Sequence, residues 1–300
     1  MIMNTVLLEK MLKTEFDRTY KAMLARPHLA ALTSIMTMVP SNSASEKYAW
    51  LGDFPSVVEW VGDRVAGMIS NYDYTIKNKD WISAIGIHEN ELKYDQSGMI
   101  IPRVQMMAQV LAEYAMELIA NLLINGTTNL AYDGIAFFSN ASGTRTNDNL
   151  LAGTGITLAQ VRADISSTRA AMMRFTGDNT TKYLGLMMDT IVCPPELEAT
   201  FIEAVTSASF IVTGEGGTTN PNQKWIKNII ALPELTDTTD WYGLCTAYPL
   251  RPFAYQESQA PRAQMDETER KRNQKIIFQA DSKGNAGYTL PHLAVKVVNS

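Results

Sequence analysis

One run of residues constrains this chain more than any other. From Arg103 to about residue 125, Val104, Met107, Ala108, Leu111, Ala115, Leu118, Ile119 and Leu122 recur at helical spacing. Apolar side chains three and four residues apart share one face of an α-helix. Gly98 breaks the pattern before it, Pro102 suits a first helical turn, and Asn125-Gly126 is a stop signal. Some 22 residues make a rod of about 33 Å. A chain with such a rod packs its other elements along it, so an all-β architecture is excluded.

The stretches on either side mix both periods. Residues 4–25 predict an amphipathic helix with Leu8, Leu12, Tyr20 and Leu24 on one face, ended by Pro27. Ser and Asn cluster around Ser41 to Ser45, and residues 1–48 read as an N-terminal arm outside the compact body. Pro55 opens a second helix to Ser70, apolar at Val57, Trp60, Val61 and Val65. Across 71–98 the period falls to two: Tyr72, Tyr74 and Ile76, then Asn78-Lys79-Asp80, then Ser83, Ile85 and Ile87. That alternation around a polar turn predicts a β-hairpin. A lone two-stranded hairpin is marginal in water and exposes its edges, so this one is expected to rest on a second copy.

Further on, Thr157-Leu158-Ala159-Gln160 matches a capping box opening a helix with Leu158, Val161, Ile165 and Thr168 on one face. A strand is predicted from Tyr183 to Cys193. Pro194-Pro195 then starts a helix over Glu196 to Thr206, apolar at Leu197, Phe201 and Val205. Thr213 to Asn222 reads as a loop. Strands follow at Ile226–Ala231, Trp241–Tyr248 and Ile276–Ala280, then a turn over Asp281 to Asn285 and a last strand at Ala294–Val298. The fold class is α+β.

Composition narrows the function. Of 300 residues, 46% are hydrophobic and 19% charged, which supports a real core. The net charge of -5 argues against a dedicated nucleic-acid grip, which needs cations for phosphate. Cys193 and Cys245 make no disulfide framework and read as buried thiols of a reducing compartment. Glu9, Lys10, Lys13 and Glu15 break the N-terminal apolar residues, so no signal peptide is expected, and no uninterrupted apolar run is long enough for a membrane span.

Chemistry is hard to place. His28, His88 and His292 are far apart, without metal-ligand spacing, and the cysteines form no CxxC. Gly214-Glu215-Gly216-Gly217 lacks the Lys-Ser/Thr of a phosphate loop. No GxSxG elbow occurs. Asp237 and Asp240 are a carboxylate pair by spacing, but an Asp/Thr turn explains them. The expectation is no catalytic residue, no cofactor-binding residue, no metal ligand, and no enzyme.

Three segments carry a resemblance. Trp50-Leu51-Gly52-Asp53-Phe54-Pro55-Ser56-Val57-Val58-Glu59-Trp60-Val61-Gly62-Asp63-Arg64 resembles the major head subunit family of Mu-like tailed phages. So does Asn78-Lys79-Asp80-Trp81, and so does Tyr132-Asp133-Gly134 with Phe137-Phe138-Ser139. After the last, the family often has a histidine where this chain has Asn140-Ala141-Ser142. The order is kept, and with the order of elements the likeness covers about residues 45–300.

That family looks like a member of the Hong Kong 97 phage capsid fold. The resemblance implies an N-terminal arm (1–48), an extended hairpin loop (71–98) and a peripheral domain (49–70, 99–150 and 251–300) with a spine helix at about 103–125. It also implies an axial domain (151–250). It implies a major capsid protein that self-assembles through pentamers and hexamers into an icosahedral shell around phage DNA. A bacterial nanocompartment shell of the same fold is the alternative. The implied partners are copies of itself, a portal, a separate scaffolding protein and weakly touched packaged DNA, with no membrane. The place is the virion, after synthesis in the bacterial host's cytoplasm. Many relatives carry a long scaffolding segment that a protease removes. With only a short arm before residue 50, no large propeptide is expected here. The mixed-sign run Glu267-Thr268-Glu269-Arg270-Lys271-Arg272 reads as a solvated loop, the alternatives being weak DNA contact or a charged contact between subunits. Lys77 and Lys79 read as solvated lysines at a hairpin tip rather than cross-linking groups.

Overall fold

The computed structural model describes residues 5–48, 51, 74–88, 90, 91, 98–140, 145–178, 182–207, 209–211, 217–268 and 270–299. Helices α1 (Thr5–Leu24) and α2 (Pro27–Thr33) open the chain. Strands β1 (Met36–Pro40), β2 (Ser45–Lys47), β3 (Thr75–Lys77) and β4 (Lys79–His88) follow. The long helix α3 (Ile100–Ile124) leads to β5 (Leu150–Ala152), α4 (Leu158–Met173), β6 (Thr190–Cys193) and α5 (Pro195–Thr206). Then come β7 (Ser209–Ile211), β8 (Gly217–Thr219), α6 (Asn222–Trp225), β9 (Asn228–Ala231) and β10 (Trp241–Leu244). Two strands of 14 residues, β11 (Phe253–Asp266) and β12 (Lys275–Tyr288), flank α7 (Arg270–Asn273), and β13 (Ala294–Val298) is last.

Two sheets organise these elements. One has the order β1-β11-β12-β4, antiparallel except for the parallel pair β1–β11. The other is mixed, β5-β13-β10-β6-β9. Alternation along its strands feeds two cores. Ile191, Cys193, Trp241, Val295 and Val297 face α4 and α5, which contribute Val161, Ile165, Leu197 and Phe201. Val192, Tyr242, Leu244 and Ala294 face α2, the C-terminal half of α3, and Phe137, Phe138, Phe253 and Tyr288. A third core joins Leu8, Leu12 and Phe16 of α1 to Val104, Met107 and Leu111 of α3, over Phe278 and Ala280 of the long ladder.

Helix α3 serves both of the last two cores, and its buried stripe turns accordingly. Ile100, Val104, Met107, Ala108 and Leu111 are buried in its first half, Ala112, Met116, Ile119, Ala120 and Leu123 in its second. At roughly 100° per residue the second set lies about a quarter-turn or more from the first. That is why Ala115, Leu118 and Leu122, read from the sequence as one continuous face, are only partly buried. By length and composition the helix is apolar enough to cross a bilayer, but α1 and the two cores cover much of its surface.

Five sequence expectations are corrected. The strands expected to pair with each other within 71–98 do not: β3 pairs with β2, and β4 pairs along its whole length with β12. Within the described part of that segment, the partner is this chain and not a copy. The arm, 1–48, is partly built into the body: α1 buries Leu8, Leu12 and Phe16, and β1 is a sheet strand. Leu24, expected inward, is 40% exposed. The turn expected over Asp281 to Asn285 lies inside β12. Strands expected at 183–193, 226–231 and 241–248 are shorter, at 190–193, 228–231 and 241–244. The helix expected over 55–70 lies outside the described residues. By contrast, the capping box of Thr157 and Gln160 is formed, and Pro195 does open α5.

Gly284 shows why a polar, turn-like stretch can be straight. A Cβ built there would sit 2.5 Å from the Gln256 carbonyl oxygen, beside the place where the β11–β12 register shifts. Only glycine lets the two backbones approach so closely. Gly86, on edge strand β4, meets nothing within 4 Å. Gly284→Ala is therefore expected to cost about 1–3 kcal/mol in urea unfolding, and Gly86→Ala within about 0.5 kcal/mol. Equal effects would contradict this packing.

Candidate functional site

The segments that carry the family resemblance are joints, not a cleft. Of the first, only Leu51 is described; it is buried beside Tyr48 and Ile76, and the rest of 50–64 lies outside the described residues. The second, Asn78 to Trp81, sits where the chain passes from β3 to β4. The Asn78 amide donates to Ser41 Oγ (2.9 Å) and to the Ser43 carbonyl (2.7 Å), and its Oδ1 accepts from buried Gln256 (2.8 Å). Asp80 pairs with Lys283 at 3.0 Å. The Trp81 indole donates to the Gly284 carbonyl at 2.8 Å and its ring lies 4.5 Å from that of Tyr114 on α3. Lys79 is 5.8 Å from the Trp81 ring, a cation–π distance. So Lys79 belongs to a joint between strands, and Lys77 ends β3; neither stands at a hairpin tip.

The third segment knots the end of α3 to the C-terminal strands. Gly134, at φ +76°, makes the tight reversal that only glycine takes without strain. Asp133 accepts two hydrogen bonds from Arg145, at 2.8 and 2.9 Å, with side chains 8% and 2% exposed. Arg145 also donates to the carbonyls of Ala136 and Phe137, both at 3.0 Å. Buried Asn149 donates to the carbonyls of Phe137, Pro291 and Ala294. Phe137 stacks on Tyr288 at 4.4 Å, and Phe138 lies 5.5 Å from Tyr242.

Beside this knot is a cluster that the sequence did not reveal. Tyr132 donates to the Asp178 carboxylate, and His292 Nε2 lies 3.2 Å from Asp178 Oδ1. Burial opposes ionisation of Asp178, but the hydrogen bond and charge of His292, with Tyr132 and Arg145, outweigh it and hold the carboxyl below its usual value. Burial, then the Asp178 charge, pushes the Tyr132 phenol up. The three residues join three distant segments, and no spacing rule links 132, 178 and 292.

The other residues singled out from the sequence are apart. His28 is exposed on α2, and His88 ends β4. Cys193, buried, has its thiol pushed up to about 12 by burial, and Cys245 is buried and raised as well. Asp237 accepts from the Thr239 and Asp240 amides, while Asp240 pairs with Lys296 at 2.8 Å. Their carboxylates are engaged in the fold, beside an open cavity of about 210 Å³ lined by Ile124, Leu235 and Tyr242. Gly214 to Gly216 lie outside the described residues; Gly217 begins β8. Arg270 pairs with Glu267 at 3.3 Å in the connection between the long strands. Among the described residues, no three His, Cys, Asp or Glu side chains gather as metal ligands would.

A family model described as the Mu-like prophage major head subunit gpT matches residues 7–154 and 232–300. The chain belongs to that family. Among curated relatives of this head-subunit family, the Mu-like prophage FluMu major head subunit of Haemophilus influenzae is 35% identical over 131 residues. That is 44% of this chain and 42% of the relative. The major capsid protein of Escherichia phage Mu is 38% identical over 104 residues, 35% of this chain and 34% of that protein. The match therefore spans less than half the length of either relative. Among solved structures, the procapsid of bacteriophage JBD30 aligns over 98% of this chain and 75% of that chain, with a TM-score of 0.56 and 22% identity. The capsid of Cyanophage P-SCSP1u aligns over 90% and 88%, at 0.56 and 12%. The head-subunit chain thus has the Hong Kong 97-type capsid fold, as its resemblance implied.

Two outcomes test the knot. Arg145→Ala strands the buried Asp133 carboxylate and should destabilise the chain by about 3–5 kcal/mol in chemical denaturation, whereas a loss under about 1 kcal/mol would show the pair to be dispensable. Because the folded Asp178 carboxyl titrates below its unfolded value, its contribution is present above about pH 4 and fades as pH falls further. Asp178→Asn should therefore lower the melting temperature at pH 7, and that difference should shrink steadily as the pH is lowered below about 4. A pH-independent difference would exclude the linkage.

Proposed function

We propose that this chain is a major capsid protein that assembles with copies of itself, as pentamers and hexamers, into an icosahedral shell around phage DNA. The observation that carries it is the family match, whose two blocks include all four strands of the long sheet, the spine helix α3 and both described joints. The chemistry of the joints supports the same reading, since their polar groups are spent on holding segments of one tile together.

In this reading residues 1–48 are an arm laid onto the body through α1 and β1, 71–98 the extended loop, 49–70, 99–150 and 251–300 the peripheral domain, and 151–250 the axial domain. The axial part is not closed on itself, because its sheet takes β13 from the returning chain. The protein has no catalytic activity and needs no cofactor. It is made in the cytoplasm of a bacterial host and ends in the virion. A portal and a separate scaffolding protein act with it, and packaged DNA makes only weak contacts.

A second reading has one observation in its favour. The holo-SrpI encapsulin complex from Synechococcus elongatus aligns over 91% of this chain at a TM-score of 0.53, with 9% identity. The fold thus also suits a nanocompartment, but the family match favours the phage head. Sedimentation and electron microscopy of the purified chain test both. Megadalton closed particles, or capsomers that close when scaffolding protein is added, are expected. A chain that stays monomeric at every concentration, with or without scaffold, would overturn the shell, and particles filled with enzyme would select the nanocompartment.

A further inference from the structure

Helices α1 and α3 pack on each other through their buried stripes, Leu8, Leu12 and Phe16 against Val104, Met107 and Leu111. Their flanks outside this contact are not ordinary polar surfaces. On α1, Leu7 is 63% exposed and Met11 42%; on α3, Met106 is 66% exposed and Val110 60%. Four large apolar side chains on the outward ridges of two neighbouring helices make an unusual exposed surface for a small domain.

The charges that follow are opposite in sign. About two and three turns beyond Met11, the α1 ridge carries Arg18 and Lys21, both exposed. One to two turns beyond Val110, the α3 ridge carries Glu113 and Glu117, partly buried and exposed. The spacing also agrees. Leu7 to Met11 and Met106 to Val110 are both steps of four residues, about 6 Å along the axis. Met11 to Arg18 and Val110 to Glu117 are both steps of seven, about 10.5 Å. Set side by side and parallel, the ridges bring Leu7 to Met106, Met11 to Val110 and Arg18 to Glu117 at once. Arg18 already reaches Glu15 at 2.5 Å, but a guanidinium has donors left for a second carboxylate. Within one chain α1 and α3 meet instead through Leu8, Leu12 and Phe16 against Val104, Met107 and Leu111, which leaves both ridges outside that contact.

We propose that the outward ridge of α1 in one copy docks, in parallel, on the outward ridge of α3 in a second copy. The apolar residues supply the contact, and Arg18 and Lys21 against Glu113 and Glu117 set its register. This contact rests on the shell reading and names one of its interfaces.

A charge exchange tests it. Arg18→Glu with Lys21→Glu puts acid against acid, and Glu113→Lys with Glu117→Lys puts base against base. Each double variant alone should need about ten-fold more protein than the unaltered chain to form large particles in sedimentation, with unchanged circular dichroism. Mixed in equal amounts, they should recover assembly, since each variant's α1 then meets the opposite charge on the other's α3. Only a contact between copies can be rescued by mixing. Unaltered assembly of either variant alone, or two impaired variants that mixing does not rescue, would overturn the contact while leaving the shell reading intact if the unaltered chain still assembles. An unaltered chain that forms no particles at all overturns both.

Discussion

The antiparallel ladder between β11 and β12 is the constraint on which the rest of the structure depends. Two strands of 14 residues cannot stand alone in water, and each would leave a long unpaired edge. Chain from far upstream lies on both edges, β1 parallel on Phe253 to Glu257 of β11 and β4 antiparallel on Lys275 to Gly284 of β12. On one face, Ala263, Phe278 and Ala280 receive α1 and the first half of α3. At the base, Phe253 and Tyr288 run into the aromatic cluster of Phe137 and Phe138, which reaches the second sheet through Tyr242. One ladder thus sets the placement of the N-terminal helices, the long helix and the five-stranded sheet.

This arrangement explains where the segments that carry the resemblance lie. Asn78 to Trp81 tie β4 to the ladder and to α3; Tyr132 to Ser139 tie the end of α3 to the base of the ladder. Such residues hold a tile in shape. Among the described residues their polar atoms meet one another. On the proposed shell reading, a protein that repeats one interface many times needs that rigidity, and it needs outward surfaces that its own fold leaves uncovered. The outer ridges of α1 and α3 are such surfaces.

Local features were legible in the sequence because their causes are local. The capping box of Thr157, the Pro195 helix start and the apolar stripes of α1, α4 and α5 all follow from neighbours within a few residues. Pairing was not legible. The alternation in 74–88 correctly marks strands, but nothing in it says that β4 pairs across some 200 residues with β12 instead of turning back on β3. Strand β11 went unseen because Gln256, Glu257, Gln259 and Pro261 interrupt any apolar alternation, although Gln256 is fully buried and bonded to Asn78 and Tyr48. Asp281 to Asn285 have turn composition yet run straight, because Gly284 is needed for close approach to β11. The Tyr132, Asp178 and His292 cluster depends on three segments meeting, which no single-window pattern contains. Family resemblance carried the fold where periodicity could not.

The central claim is that one copy completes its own long sheet, with β1 and β4 in place before any other copy arrives. Hydrogen–deuterium exchange on the dilute, unassembled chain tests it most directly. Amides of 36–40 and 79–88 should then exchange slowly, on the same scale as those of 275–288. Fast exchange in both edge strands of the free chain, with protection gained only in assembled particles, would mean that those strands find their places in other copies.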